Sequence, residues 1–196
     1  MSWIRTPPED GATGEVAAAY SRDRESLGYV ANYTRVFANR PAVLEAWRAL
    51  NGAVKASMDP RRYELATVAA ALRLQSSYCS LAHGKVLAEQ FDGPEAVSAI
   101  VTAPDSAVLT PVDRAVMALA DKVAAGAAHM TENDLTELRD LGVDDTGILD
   151  VVLAAAARCF FSSVLDAVGA EPDSVFHSLD PAVRGALTVG RPIARS

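Results

Sequence analysis

The sequence predicts an all-α protein, for three reasons. Half of its 196 residues are hydrophobic but only 6% are aromatic, so alanine, leucine and valine supply most of the core. Alanine and leucine have high helix propensity because they lose little side-chain entropy in a helix. Apolar residues recur at helical spacing, and no alternating stretch is long enough to build a sheet. The predicted organisation is a flexible arm over 1–14, one helical domain over 15–170 and a tail over 171–196.

Start and stop signals place the helices in order. Asp59 is predicted to cap the N-terminus of one helix, with a proline at its first position, where the missing N–H is not needed. Thr110 with Asp113 is close to a capping box, and Thr131 with Asp134 repeats the pattern. The tail contains three prolines and is predicted to form a turn and an extended segment. The predicted helices cover about residues 15–27, 29–38, 41–57, 60–74, 77–91, 94–101, 111–126, 132–142 and 145–168.

The charge pattern argues against nucleic acid and membrane partners. The net charge is −7, whereas proteins that bind nucleic acids or anionic lipids carry clusters of Lys and Arg. The pair Arg61–Arg62 is predicted to be a solvated helix start. The longest apolar stretch is interrupted by Asp150 and Arg158, and the N-terminus lacks a signal-peptide pattern. Two cysteines are too few for a disulfide framework. A cytoplasmic protein with reduced thiols is therefore expected.

The stretch "SSYCSLAH" (76–83) contains one of two cysteines and one of three histidines. In a helix, Cys79 and His83 are four positions apart and share a face. An imidazole beside a thiol favours the thiolate. With Ser76 or Ser77 as N-cap, Cys79 lies in the first turn, where the helix dipole also favours an anion.

Glu64 is the third candidate, although it precedes Cys79 by 15 residues. On one straight helix the two would be roughly 22 Å apart. A turn near Gln75 would instead make an antiparallel helical hairpin that places Glu64 level with His83. The carboxylate would then orient the imidazole, and the imidazole would deprotonate the thiol.

Each of these residues also has a purely structural interpretation. A free cysteine is usually a small buried hydrophobe, and a histidine on an apolar helix face is usually a satisfied core residue. Glu64 in the first helical turn would favour the dipole without any other role. The C-x-x-x-H pair alone is therefore a weak signal.

A longer sequence pattern around this pair is a stronger signal of function. The segment "RRYELATVAAALRLQSSYCSLAHGKVL" resembles the signature of the alkylhydroperoxidase D-like branch of the carboxymuconolactone decarboxylase family. That signature has a glutamate, about a dozen mostly apolar residues, and then C-x-x-C-x-x-x-H. Glu64, Cys79 and His83 occupy the glutamate, second cysteine and histidine positions. The resemblance extends over about residues 28–170. It implies an all-helical fold that assembles as trimers or hexamers, and hydroperoxide reduction by a cysteine pair.

The sequence departs from this signature at its first cysteine, which is replaced by Ser76, so the motif is S-x-x-C-x-x-x-H. The resemblance identifies the retained cysteine as the one that attacks peroxide. A sulfenic acid on Cys79 would need another thiol to resolve it. Cys159 is the only internal candidate, and it is predicted to be a buried core thiol.

The resulting prediction is thiol-dependent hydroperoxide reduction, a peroxiredoxin-like antioxidant activity. Cys79 would be the nucleophile, His83 the general base, Glu64 the group that orients His83, and Ser76 a hydrogen-bond donor to the thiolate. The expected partners are a small hydroperoxide, an external thiol reductant and further copies of the chain in a homo-oligomer. No cofactor is expected. Zinc needs about four ligands and these residues supply three at most, so no metal site is expected either.

Two alternatives remain open. In the first, the protein is a lyase or isomerase acting on a small organic acid, as in the decarboxylase branch, with His83 moving protons and Cys79 a bystander. In the second, it is a non-catalytic oligomer that kept the fold. Loss of the Cys79 thiol would abolish a peroxidase and largely spare a lyase, whereas loss of His83 would damage both enzymes.

Overall fold

A computed structural model describes residues 2–103 and 107–195. It confirms the all-α fold, since these residues contain ten α-helices and no strand. The α-helices are α1 (Gly14–Leu27), α2 (Asn32–Phe37), α3 (Pro41–Ala56), α4 (Pro60–Arg73), α5 (Ser77–Leu87), α6 (Pro94–Thr102), α7 (Pro111–Gly126), α8 (Asn133–Asp140), α9 (Asp145–Ala167) and α10 (Pro181–Leu187). A π-helical turn (Ala88–Asp92) extends α5, and 3₁₀ turns cover Ala127–His129 and Ser174–Ser178.

The side chains that the sequence predicts as helix N-caps make capping hydrogen bonds. Asp59 Oδ1 accepts a hydrogen bond from the Arg62 N–H at 3.0 Å. Thr110 and Asp113 form a reciprocal capping box at the start of α7, which satisfies two backbone donors that a helix start leaves free. Thr131 and Asp134 make the same kind of contact, but α8 begins one residue later than that pattern predicts, at Asn133.

Helix α4 is the centre of the fold. It packs against α5, α7 and α9, and nine consecutive residues, 63–71, are buried. The helical spacing of Leu65, Val68 and Leu72 predicts an apolar face on this helix. Leu65 and Val68 are fully buried and Leu72 is partly buried, but the opposite face is buried too, as is typical of a helix in the middle of a core. Four alanines in this stretch allow the neighbouring helices to approach closely.

The tail forms more helix than its prolines suggest. Asp180 accepts hydrogen bonds from the N–H groups of Ala182 and Val183, so α10 begins with a capping aspartate followed by proline, as α4 does. The tail then crosses the start of α5, where the Gly190 N–H donates to Ser77 Oγ at 2.7 Å. A Cβ at residue 190 would lie 2.1 Å from the Gln75 carbonyl oxygen, so this close approach requires glycine.

The N-terminal arm runs along the helical domain. The Trp3 N–H donates to the Val168 carbonyl oxygen at 2.8 Å, and the Tyr20 hydroxyl donates to the Pro7 carbonyl oxygen at 2.7 Å. Trp3 also lies under the Arg191 guanidinium, 4.2 Å from ring centroid to guanidinium carbon. These contacts tie the two ends of the chain together.

Helix α9 is long and apolar enough to cross a membrane. The same length and composition suit the core helix of a folded domain, and α9 packs against α3, α4 and α7. Its buried residues include Arg158, one of the two charges that interrupt the apolar stretch in the sequence.

Candidate active site

A tight turn joins α4 to α5 and makes the predicted hairpin. Gln75 adopts a left-handed conformation with φ of 54°, which is uncommon for a residue other than glycine. Ser76 is the N-cap of α5. The reversal brings Glu64 level with His83, and His83 Nδ1 lies 2.6 Å from Glu64 Oε2. The contact predicted from the sequence is therefore present.

Glu64 is an ionised carboxylate held between two partners. Only 1% of its surface is exposed, and burial by itself would raise its pKa. The hydrogen bond with His83 and the charge of Lys55, whose Nζ lies 3.1 Å from Oε1, outweigh burial and lower the pKa of Glu64, and the charge of His83 adds to this effect when the imidazole is protonated.

His83 is a neutral imidazole at physiological pH. Burial is the main reason that its pKa is lowered to about 4, and the nearby charge of Arg158 lowers it further, against the raising effect of Glu64. Because Glu64 is a carboxylate, Nδ1 carries the proton and donates a hydrogen bond to Oε2. Nε2 is then left as the basic nitrogen. The edge of the Tyr63 ring packs against the imidazole, with centroids 5.9 Å apart.

Cys79 is buried in the first turn of α5, with 1% of its surface exposed. Its sulfur accepts a hydrogen bond from Arg158 Nη1 at 3.5 Å. Burial by itself would lower the pKa of Arg158, but Cys79 and the Tyr63 hydroxyl outweigh burial and raise it. Arg158 is the functional candidate that the sequence analysis missed.

Cys79 and His83 open onto one cavity of about 290 Å³ between α2, α3, α5 and α9. One wall is aromatic, with Trp47 stacked on Phe161 at 4.7 Å between ring centroids. The residues that line it are Tyr33, Trp47, Arg48, Asn51, Gly52, Tyr78, Cys79, Ala82, His83, Arg158 and Phe161. A larger groove of about 680 Å³ lies beside the N-terminal arm, but no cysteine, histidine or carboxylate lines it.

Ser76 does not contact the thiol. Its side chain is fully buried and lies beside the Asp166 carboxyl, whose pKa burial raises and the Ser76 hydroxyl lowers in part. It makes no hydrogen bond to Cys79 Sγ and does not line the cavity. The predicted hydrogen bond from Ser76 to the thiolate is therefore absent, and Arg158 takes its place.

The second cysteine lies away from the cavity. Cys159 is half-buried rather than fully buried, and both cysteines are free thiols. Burial raises the pKa of Cys159, which disfavours its reactive thiolate. His129 is exposed and His177 lies in the tail. Within residues 2–103 and 107–195, no three Cys, His, Asp or Glu side chains are grouped to hold a metal ion.

Comparison with known proteins agrees with this hairpin. Residues 41–122 match the model of the Carboxymuconolactone decarboxylase family. This match confirms, over these residues, the resemblance found in the sequence. The matched segment contains Glu64, Cys79 and His83, whereas Arg158 lies outside it. No curated protein matches the chain.

Solved structures share the whole fold. A peroxidase-related protein from Silicibacter sp. TM1040 has a TM-score of 0.81 at 22% identity, covering 90% of this chain and 94% of its own. An alkylhydroperoxidase AhpD core, a peroxidase-related protein from Ralstonia eutropha JMP134, has a TM-score of 0.80 at 22% identity, covering 89% and 94%. The debrominase Bmp8, in complex with 2,3,4-tribromopyrrole, has a TM-score of 0.73 at 14% identity, covering 94% and 95%.

Proposed function

We propose that the protein reduces hydroperoxides with the single motif thiol of Cys79. The observation that carries the proposal is that Cys79 and His83 face one cavity while Glu64 holds His83 Nδ1 at 2.6 Å. A nucleophile, a neutral base and a group that orients the base are the parts that activated-thiol chemistry needs. The peroxidase-related structural neighbours are consistent with it.

The reaction begins when the Cys79 sulfur attacks the outer oxygen of the hydroperoxide. The O–O bond breaks, the sulfur loses two electrons and becomes a sulfenic acid, and the alkoxide leaves. His83 Nε2 carries a proton to that alkoxide, which departs as an alcohol. The carboxylate of Glu64 keeps the imidazole in the required tautomer.

An external thiol completes the cycle, since no second thiol lies in the cavity. One reductant thiol condenses with the sulfenic acid, releases water and forms a mixed disulfide. A second reductant thiol attacks that disulfide, releases an oxidised reductant and restores the Cys79 thiol. The half-buried Cys159, outside the cavity, does not take part in this scheme.

Trapping the sulfenic acid tests the proposal. Reduced protein is mixed with one equivalent of cumene hydroperoxide or hydrogen peroxide, quenched with dimedone and mapped by mass spectrometry. We expect an adduct on Cys79, peroxide consumption that becomes catalytic when dithiothreitol is added, and complete loss of both in Cys79→Ser. Cys159→Ser is the matched control and should behave as wild type. Equal peroxide consumption by both variants, or no adduct in wild type, would overturn the proposal.

A second candidate is a lyase or isomerase acting on a small organic acid. The observation that favours it is a neutral imidazole beside a buried guanidinium, since the first can move a proton and the second can hold a carboxylate. The presence of a debrominase among the structural neighbours means that the fold by itself does not choose among activities. Turnover of an organic acid that survives in Cys79→Ser but fails in His83→Ala would favour this candidate.

We also propose that the chain forms a homo-oligomer. Large apolar side chains are exposed on α3 and α9, among them Leu50 at 53% and Leu149 at 54%. Phe160, 46% exposed, packs against Trp47 in the cavity wall, so this surface adjoins the candidate site. Sedimentation velocity measures the mass, and a monomer at micromolar concentration would contradict the proposal.

A further inference from the structure

Arg158 is buried in a way that calls for a negative partner. Only 3% of its surface is exposed, and its guanidinium carbon lies 5.7 Å from the Trp47 ring centroid and 5.6 Å from that of Phe161. Ring faces attract a cation, but they do not neutralise it. Its Nε is buried without a hydrogen-bond partner.

No carboxylate supplies that partner. Among the described residues, the nearby acid Glu64 is already bound by His83 and Lys55, and Arg158 makes no ion pair with an acidic side chain. A buried unpaired charge costs several kcal/mol. Cys79 Sγ, at 3.5 Å from Nη1, is the group in contact with Arg158 that becomes an anion by losing one proton.

His83 cannot provide the charge that stabilises such an anion. Its pKa is lowered to about 4, first by burial and then by the charge of Arg158, so it is neutral at physiological pH. The arrangement expected from the sequence, a thiolate stabilised by an imidazolium, therefore does not fit this cavity.

We propose that Arg158 is a catalytic residue, which holds the negative charge on the Cys79 sulfur while His83 stays neutral. This inference deepens the proposed function and rests on it for the chemical step. The thiolate attacks the outer oxygen of the hydroperoxide and the O–O bond breaks. The sulfur becomes a sulfenic acid, which loses its proton and remains as a sulfenate paired with Arg158. The proton of the hydroperoxide passes through His83 Nε2 to the alkoxide, which departs as an alcohol, so charge and atoms balance.

The other charged and titratable groups around this pair are accounted for. Arg48 also lines the cavity, but it donates to Asp23 Oδ1 at 3.0 Å and to Glu45 Oε1 at 2.8 Å, so its charge is already neutralised. The groups that face the pair from each packed element are Tyr33 on α2, Arg48 and Lys55 on α3, Tyr63 and Glu64 on α4, and Tyr78 and His83 on α5.

Alkylation of Cys79 tests the inference without any peroxide. The iodoacetamide rate and the ultraviolet thiolate absorbance are followed against pH in a Cys159→Ser background. We expect Arg158→Met to reduce the alkylation rate at pH 7 by about tenfold or more, and Arg158→Lys to recover part of it. Arg48→Met, which removes a paired arginine from the same cavity, should have a much smaller effect. His83→Ala should leave the rate close to wild type.

The opposite pattern would overturn the inference, namely a large loss of alkylation in His83→Ala and none in Arg158→Met. If Arg158→Met does not fold, thermal unfolding decides instead. Cys79→Ala should then lower the melting temperature more than Cys159→Ala, because it leaves Arg158 without its counter-charge. Equal shifts would overturn the inference. If Arg158→Met slows alkylation as expected but wild type gives no dimedone adduct on Cys79, only the peroxidase proposal is overturned, and the pairing of Arg158 with the thiolate stands.

Discussion

Arg61 lies on α4 and Arg158 on α9, which packs against α4. The two arginines differ in the groups that neutralise their charge. Arg61 Nε donates to both carboxylate oxygens of Asp92, at 2.8 and 3.0 Å, and its Nη1 donates to Asp113 Oδ2 at 2.8 Å. Arg158 is more deeply buried and faces rings, a phenol and a thiol. The first cluster is fully paired, whereas the second lacks one permanent negative charge.

This difference separates a structural charge cluster from a chemical one. The Arg61 cluster joins the starts of α4 and α7 to the turn after α5, and every charge in it has a partner. A buried charge without a permanent partner lowers stability, so its persistence beside a nucleophile in a cavity points to function. Replacing one member of each cluster should therefore affect stability in one case and reactivity in the other.

The largest expected loss of stability comes from Asp113→Ala. Asp113 is 2% exposed, binds Arg61 and completes the α7 capping box. Removing the Asp113 carboxylate breaks the capping box and takes one of two carboxylate partners from Arg61, which keeps Asp92, so the free energy of unfolding should fall by about 3 kcal/mol. Urea denaturation measures this. The alkylation rate of Cys79 should stay at the wild-type value.

Asp134→Ala is the matched control for that experiment. Asp134 follows Thr131 in the same Thr-x-x-Asp arrangement and binds Lys122 at 2.8 Å, but it lies at the surface, where ion pairs contribute little. The free energy of unfolding should fall clearly less in Asp134→Ala than in Asp113→Ala. Equal losses would mean that the cap, and not the buried ion pair, stabilises the structural cluster.

The sequence predicted the parts of the site that lie within one hairpin. Helical spacing puts Cys79 and His83 on one face, and a turn near Gln75 is enough to bring Glu64 level with them. Local sequence signals also predict the caps at Asp59 and Thr110. They do not predict α10, although Asp180 and its proline repeat the Asp59 signal, because three prolines in the tail favour an extended chain.

Arg158 was beyond this reasoning because it lies 79 residues after Cys79. In the sequence it only interrupts an apolar helix, and no spacing rule connects it to the motif. One signal was available: arginine is almost never fully buried unless it is paired. The sequence instead predicts Ser76 as the hydrogen-bond donor to the thiolate, because Ser76 occupies the first cysteine position of the motif, but in the fold it lies beside Asp166.

In the candidate active site, Glu64→Gln should slow peroxide reduction by about 10²-fold in kcat/KM. A neutral amide no longer fixes the His83 tautomer by charge. Because Glu64 raises the pKa of His83, the acid limb of the pH–rate profile should also move to lower pH. Lys55→Met removes the other ionic partner of Glu64 and should change kcat/KM by no more than about threefold. Matching effects of the two variants would assign Glu64 a structural role only.

The smallest expected effect is a pH dependence of stability that His83 causes. Its pKa is about 4 in the folded chain and about 6.5 when unfolded, so the unfolded chain binds the proton first as pH falls. Stability should therefore drop between pH 7 and pH 5 by about 2 kcal/mol from this group. The lowered pKa of Glu64 removes stability only below about pH 4.5, and it does not interfere in this window.

Urea denaturation of wild type and His83→Gln at pH 7 and pH 5 isolates that effect. Buried acids with raised pKa values, such as Asp173, gain stability as pH falls, so the quantity to compare is the difference between the two proteins. His83→Gln should lose about 2 kcal/mol less than wild type over this range. His129→Gln, at an exposed position, should retain the wild-type loss. If His83→Gln loses as much stability as wild type, folding does not lower the pKa of His83, and its imidazolium would then join Arg158 as a cation beside the thiol in the acid part of this range.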